Sequence, residues 1–214
     1  MSSTAAGSPG VNKRTARAQE TRRAIFEHAV SLFREKGFDQ VTIEEITNRA
    51  GTAKGSFYTY FKTKSDIIIE EFKVIDDYYR SIRPRLRRIE GAEDRLIAFT
   101  RLQMKHVRDA VGLAMLKILY ATTIMDPSAE KYLISPERYL HGLILEIMRY
   151  GQERGEIRSD LSAEALAALY NRSMRSVFLD WAISDDAWDL VQGGVDYCRT
   201  LVVPALAPAR TPAR

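Results

Sequence analysis

The chain has 214 residues, 45% of them hydrophobic, and a net charge of +4. That length allows one large domain or two small ones, and the apolar content supports a packed core and excludes a largely disordered protein. No apolar run is long enough to span a bilayer, residues 1–12 lack the apolar core of a secretory signal, and a lone Cys198 excludes an intrachain disulfide, which together fit a cytoplasmic protein with no membrane partner.

The charge is unevenly placed. Residues 1–64 hold 11 Lys/Arg against 6 Asp/Glu, a net +5, whereas residues 65–214 hold 21 against 22, a net −1. A basic head on a near-neutral body suggests that the head binds a polyanion. A solvated surface with a charged tail is the bland alternative.

Residues 1–14 read as a disordered basic arm, with few apolar residues and Pro9-Gly10. From about Thr15 to Lys36, Ile25, Phe26, Ala29, Val30, Leu32 and Phe33 recur at helical spacing. Gly37 stands where a left-handed residue ends a helix, with Phe38 placed to contact Phe33. Thr42 and Glu45 form a capping box for a second helix, and Val41 and Ile46 occupy the positions of a hydrophobic staple. Ala50-Gly51 supplies a turn. Thr52 reads as the cap of a short third helix, and Thr63 as the cap of a fourth. Further helices are predicted near 64–82, 93–109, 111–125, 136–154, 162–183 and 185–202, with Pro84, Gly91, Pro127, Pro136, Gly155 and Pro204 at or near the breaks. The predicted fold is all-α. It comprises a three-helix helix-turn-helix head (15–64), a helical ligand-binding and dimerisation domain (65–203), and a loose tail (204–214).

Residues 42–64 carry the chemistry. A recognition helix must offer side chains to base edges and let its backbone approach phosphate. Gly55 permits close approach, and Lys54 can reach phosphate or a guanine edge. Ser56, Thr59 and Thr52 can make short hydrogen bonds. Tyr58 and Tyr60 carry phenols able to reach the backbone of DNA, and Lys64 stands at the start of the fourth helix, where phosphate is favoured. Phe57 and Phe61 are expected to anchor the short helix. Thr42 and Ala53 complete the candidate DNA-binding set: Thr42, Thr52, Ala53, Lys54, Gly55, Ser56, Tyr58, Thr59, Tyr60 and Lys64. Lys13, Arg14, Arg17, Arg22 and Arg23 can follow the DNA backbone or enter a minor groove.

Gly51, Lys54-Gly55, Tyr58-Thr59-Tyr60-Phe61, Thr63-Lys64 and Ile67 together resemble the DNA-binding region of the TetR family of bacterial transcriptional repressors. The resemblance covers residues 20–70 in detail. Thr52-Ala53 stands where that family commonly has Val-Ser, and Thr47 where it commonly has Ala. The resemblance implies a homodimer on a palindromic operator in double-stranded DNA, an all-helical C-terminal domain with a pocket, and release from DNA when a small hydrophobic molecule binds.

The stripe Leu166, Tyr170, Met174, Phe178 and Trp181, with Val191 and Val195, fits a dimer seam or ordinary core packing. Candidate ligand contacts are Phe99, Gln103, His106, Met115, Tyr120, Tyr139, Met148, Asn171 and Arg175, each of which also fits plain core or surface. Arg80, Arg83, Arg85, Arg87 and Arg88 read as a solvated helix ending, with a second DNA contact as the alternative. His28, His106 and His141 lack a partner at metal spacing, and no cofactor is called for. The expected function is a repressor and not an enzyme, since no nucleophile elbow, phosphate loop or zinc motif occurs. The alternatives are a helical protein-interaction module with a purely structural helix-turn-helix, or an enzyme with an unrecognised site.

Overall fold

Helical spacing of apolar side chains dominates, and the computed structural model is all-α over the residues it describes, 9–125 and 131–208, with the backbone alone described at 9–13. In chain order the helices are α1 (Pro9–Lys36), α2 (Ile43–Arg49), α3 (Lys54–Tyr60), α4 (Lys64–Arg87), α5 (Ala92–His106), α6 (Leu113–Met125), α7 (Tyr139–Glu153), α8 (Ala163–Ile183), α9 (Leu190–Tyr197) and α10 (Val203–Leu206). π-turns at Val107–Val111 and Cys198–Val202 carry the chain on from α5 and α9, and neither was anticipated from periodicity. The chain divides into two compact units, one ending at Glu71 and the other starting at Phe72, so the division falls inside α4 and beyond the expected 64/65.

In the first unit, α1–α3 close over Ile25, Phe33, Ile46 and Phe57, each at most 1% exposed. Gly37 takes φ +84°, and its N–H donates to the Phe33 carbonyl at 3.0 Å. The rings of Phe33 and Phe38 lie 5.0 Å apart, completing the expected helix ending. α1 starts at Pro9 and not near Thr15, so residues 9–14 of the expected arm are helical, and residues 1–8 lie outside the described residues.

Both hydrogen bonds of the Thr42–Glu45 capping box are formed, and Val41 and Ile46 beside it are buried. The start of α3 differs from expectation: its cap position is Ala53. Thr52 instead donates its N–H to the Thr47 carbonyl at 2.9 Å, so it closes the end of α2.

In the second unit α5 packs against α7 and α9, and α7 packs along α8. α4 runs through Pro84 to Arg87, where a break was expected. Ile82 and Leu86 are buried on either side of the proline, and Arg83 and Arg87 both pair with Glu146 of α7. Packing therefore outweighs the N–H that proline removes. α9 begins at Leu190 and not at 185, because Asp185 and Asp186 adopt left-handed backbone (φ 55° and 62°) in the turn before it. Pro204 lies inside α10, and the Leu206 carbonyl accepts from Arg158 N–H at 2.8 Å, so the expected loose tail starts later. Residues 209–214 of that tail lie outside the described residues.

Candidate DNA-binding surface and ligand cavity

The turn between α2 and α3 is set by Gly51, whose φ of +64° favours glycine. Burial of Phe57 and Phe61 turns the other face of α3 outward. Lys54, Gly55, Tyr58 and Thr59 are exposed there, with Ser56 and Tyr60 half-buried. Tyr58 keeps 55% of its surface exposed while its ring edge meets Phe57 at 5.6 Å. Gly55 differs from Gly51. Its backbone is not left-handed, and a Cβ there would meet nothing of the protein within 4 Å.

Much of the positive charge of this unit is paired within it. Arg22, Arg23, Arg34, Lys36 and Arg49 pair with Glu70, Glu27, Glu71, Glu45 and Glu35 respectively. Lys54 and Lys62 are exposed and carry no ion pair among the described residues. Lys62 is not among the sequence candidates, although it directly follows the Tyr-Thr-Tyr-Phe motif. Arg14 and Arg17 are exposed on α1, and the side chain of Lys13 lies outside the described residues.

Lys64 departs from expectation. Its ammonium donates to the carbonyls of Phe38 and Val41, both at 2.7 Å, and lies 4.5 Å from the centroid of the Phe38 ring. Burial pulls its pKa below the ordinary lysine value. This side chain closes the loop between α1 and α2, leaving little of it free for phosphate. Thr42 and Thr59 are also engaged: the first in its capping box, the second donating to the Gly55 carbonyl at 3.2 Å. Thr47 is buried and satisfies its hydroxyl on the carbonyls of Ile43 and Glu44, so a threonine fits where a smaller alanine would.

In the second unit, a cavity of about 50 Å³ lies between α4, α6 and α8. It shares a wall of Leu133, Arg138, Leu140, Asn171 and Arg175 with an outer cleft of about 450 Å³. Of the expected ligand contacts, Gln103, Tyr120, Asn171 and Arg175 line the cavity. Phe99, Met115 and Met148 do not line it and are sealed in the core, each at most 1% exposed. His106 stacks on Tyr78 with ring centroids 3.8 Å apart, and Tyr139 lies beneath Arg80.

Arg138 and Asp76 are not among the sequence candidates. They form a buried ion pair at 3.2 Å, and Asp76 also accepts from Tyr132 Oη at 2.8 Å and Tyr139 N–H at 3.0 Å. Three buried side-chain polar atoms lack a hydrogen-bond partner among the described residues: Gln103 Oε1, Arg138 Nε and Asn171 Oδ1. All three residues line this one cavity. Burial also pushes the Tyr120 phenol up to about 12, so it is a neutral donor to the Arg175 carbonyl.

The expected dimer seam faces the protein's own core. Leu166, Tyr170, Met174, Phe178, Trp181 and Val195 are all at most 7% exposed within the single chain, and Val191 is half-buried. Tyr170 Oη pairs with Thr100 Oγ1 at 2.7 Å, and Trp181 Nε1 donates to Asp186 at 2.8 Å. The apolar residues that α8 leaves outside are Leu169, Leu179 and Ile183, the last 72% exposed. No group of three His, Cys, Asp or Glu side chains at metal-binding distance occurs among the described residues.

The profile of "Bacterial regulatory proteins, tetR family" matches residues 25–70, the span that holds α2, α3 and the exposed Lys54–Tyr58 face. Residues 25–70 are a TetR-family DNA-binding region. Similarity to transcriptional regulators runs along nearly the full chain. The HTH-type transcriptional repressor BepR of Brucella suis biovar 1 (strain 1330) is 27% identical over 92% of this chain and 97% of its own. The fatty acid metabolism regulator protein of Bacillus subtilis (strain 168) is 23% identical over 78% and 86%. Among solved structures, the TetR-family repressor FadR of Thermus thermophilus, crystallised with lauroyl-CoA, superposes with a TM-score of 0.69. It covers 90% of this chain and 98% of that one at 23% identity, a likeness of fold.

Proposed function

We propose that this TetR-family regulator is a repressor that binds a palindromic operator in double-stranded DNA as a homodimer and is released when a small molecule fills the cavity of its second unit. Gly55 carries the DNA-binding part of the reading. Nothing inside the protein calls for glycine at that exposed position, and its bare backbone permits close approach from outside. Lys54 and Tyr58 flank it on the same short helix with free polar ends. Such a surface fits close backbone approach to phosphate and base contacts in a major groove.

Thr52, Ala53, Lys54, Gly55, Ser56, Tyr58, Thr59 and Tyr60 form the reading surface in this proposal, with Lys62 added and with Thr42 and Lys64 acting mainly within the fold. The homodimer forms through the outward apolar residues of α8, Leu169, Leu179 and Ile183, in place of the buried stripe. Two copies double the contacts that one short helix can make, which suits a two-fold operator. Ligand release is supported by the cavity with unsatisfied polar atoms and by the lauroyl-CoA bound to the Thermus relative. The named relatives are regulators, which supports a non-enzymatic role in the cytoplasm. Among the described residues, no helix is long and apolar enough to cross a membrane.

The test is titration of the full chain into duplex DNA from its own promoter region at several salt concentrations. Sequence-selective binding that falls steeply with salt is expected, because phosphate contacts release counterions. Equal affinity for random duplex of the same length overturns the reading. Tyr58→Ala and Lys54→Ala should each weaken operator binding, the latter lowering the salt slope by about one.

A further inference from the structure

The cavity wall is electrically unbalanced. Arg138, Arg172 and Arg175 converge on the outer cleft, and Arg138 and Arg175 also reach the inner cavity. Asp76 pairs with Arg138. Arg172 and Arg175 carry no ion pair among the described residues, and neighbouring Arg172 and Arg138 repel the Arg175 guanidinium. Partial burial is the main cause that draws its pKa down, with Tyr120 opposing and the two arginines adding to the shift. A half-buried cation with like-charged neighbours is a poor resting arrangement unless an anion completes it.

The same wall holds unpartnered polar atoms. Arg138 Nε, a donor, is buried and unpartnered, and Arg138 as a whole is 9% exposed. Asn171 (8% exposed) bonds His141 through one end of its amide, and Gln103 (3%) bonds Tyr79 through one end of its own. Whichever way each amide is turned, its other end is left without a partner. Behind them the inner surface is apolar, with Phe72, Leu116 and Phe178. Leaving such groups buried and unpaired is costly, and a ligand of matching polarity offsets that cost.

We propose that this cavity takes an amphipathic organic anion, its acid group held by Arg175 and Arg138 Nε and its apolar part set against Phe72, Leu116 and Phe178. This deepens the ligand-responsive reading above and rests on it for the consequence to DNA binding, but not for the binding itself. A neutral ligand would leave the Arg172–Arg175 charge uncompensated, and an ammonium would add to it.

The experiment is calorimetric titration of the full-length protein, without DNA, by octanoate, octanamide and octylammonium, which share a tail and differ in the head. Octanoate should bind at least tenfold tighter than octanamide, and octylammonium weakest. Arg175→Gln should cost octanoate about tenfold and leave octanamide unchanged, and Arg175→Lys should recover part of the loss. Arg175 donates to no protein acceptor through its side chain among the described residues, so these variants should fold, and their melting curves check it. Octanamide binding as tightly as octanoate, an Arg175→Gln variant with unchanged octanoate affinity, or no octanoate binding at millimolar concentration overturns the proposal. Promoter titration in parallel separates the two readings. Octanoate binding without operator binding sinks the repressor and keeps the anion site. Operator binding without anion preference does the reverse.

Discussion

The Lys64 ammonium lies 2.7 Å from the Phe38 carbonyl oxygen and 4.5 Å from the centroid of the same residue's ring. It also holds the Val41 carbonyl, so one side chain closes the loop that leads into the helix-turn-helix. Lys64→Met retains the apolar stem and removes the donor. It should destabilise the protein by roughly 1–3 kcal/mol, the cost of leaving partly buried carbonyls unpaired. Denaturant melts would show this as a lower midpoint with an unchanged slope. An unchanged midpoint, with only DNA affinity lost, would mean that Lys64 acts on phosphate and not on the fold.

Gly55 makes the opposite case. Alanine there meets no atom of the protein and improves helix propensity. Gly55→Ala should therefore raise stability by up to about 1 kcal/mol while weakening operator binding. Few substitutions separate the two properties so cleanly, and a melt with a gel-shift titration reads both. Retention of full operator affinity would remove the close-approach role assigned to Gly55.

Ile183 tests the dimer surface. Being 72% exposed, it should tolerate Ile183→Glu with a stability change within about 0.5 kcal/mol. The dimer should dissociate at least tenfold more readily, by sedimentation analysis. Leu166→Glu, at a site 1% exposed, should unfold the chain instead. If Ile183→Glu remains dimeric at low micromolar concentration, the contact lies elsewhere.

His106 predicts a pH dependence. Its ring stacks on Tyr78, and burial lowers its pKa, with Asp109 opposing. The folded state therefore holds the proton less tightly than the unfolded chain. By linkage, its contribution to stability is present above the unfolded value and is lost as pH falls from about 6.5 through the lower folded value. His106→Gln should show less stability loss between pH 7.5 and pH 5.5 than the parent, measured by denaturant midpoints. Equal losses in the two proteins would show that His106 is not the responsible group.

What was legible in the sequence was local. Gly37 with Phe33 and Phe38, and Thr42 with Glu45, act over a few residues, and their types alone specify the ends of α1 and the start of α2. What was not legible depends on partners far along the chain. Lys64 serves carbonyls 23 and 26 residues away, and Arg138 meets Asp76 across 62. Pro84 looks like a stop until Leu86 is seen to be buried beyond it. The apolar stripe of α8 shows that the helix is amphipathic but not which neighbour covers it. Leu166 and Trp181 face the core, whereas Leu169 and Ile183 face outward. Within the cavity, Gln103, Asn171 and Arg175 could be named as polar residues on helices, but that they share a wall with Arg138 required the packing of α5, α7 and α8.

Glu45 completes the capping box on Thr42 and, with its other oxygen, holds Lys36 at 2.7 Å. One carboxylate thus ties the start of α2 to the last turn of α1, and Arg49 repeats the tie to Glu35 at the other end of α2. α2 is thereby fixed when the chain folds, so on the proposed reading little backbone conformational entropy is left to lose on contact with DNA. Calorimetry of operator binding should then give a heat-capacity change matched to the apolar area the interface covers, without the larger negative excess that marks folding coupled to binding.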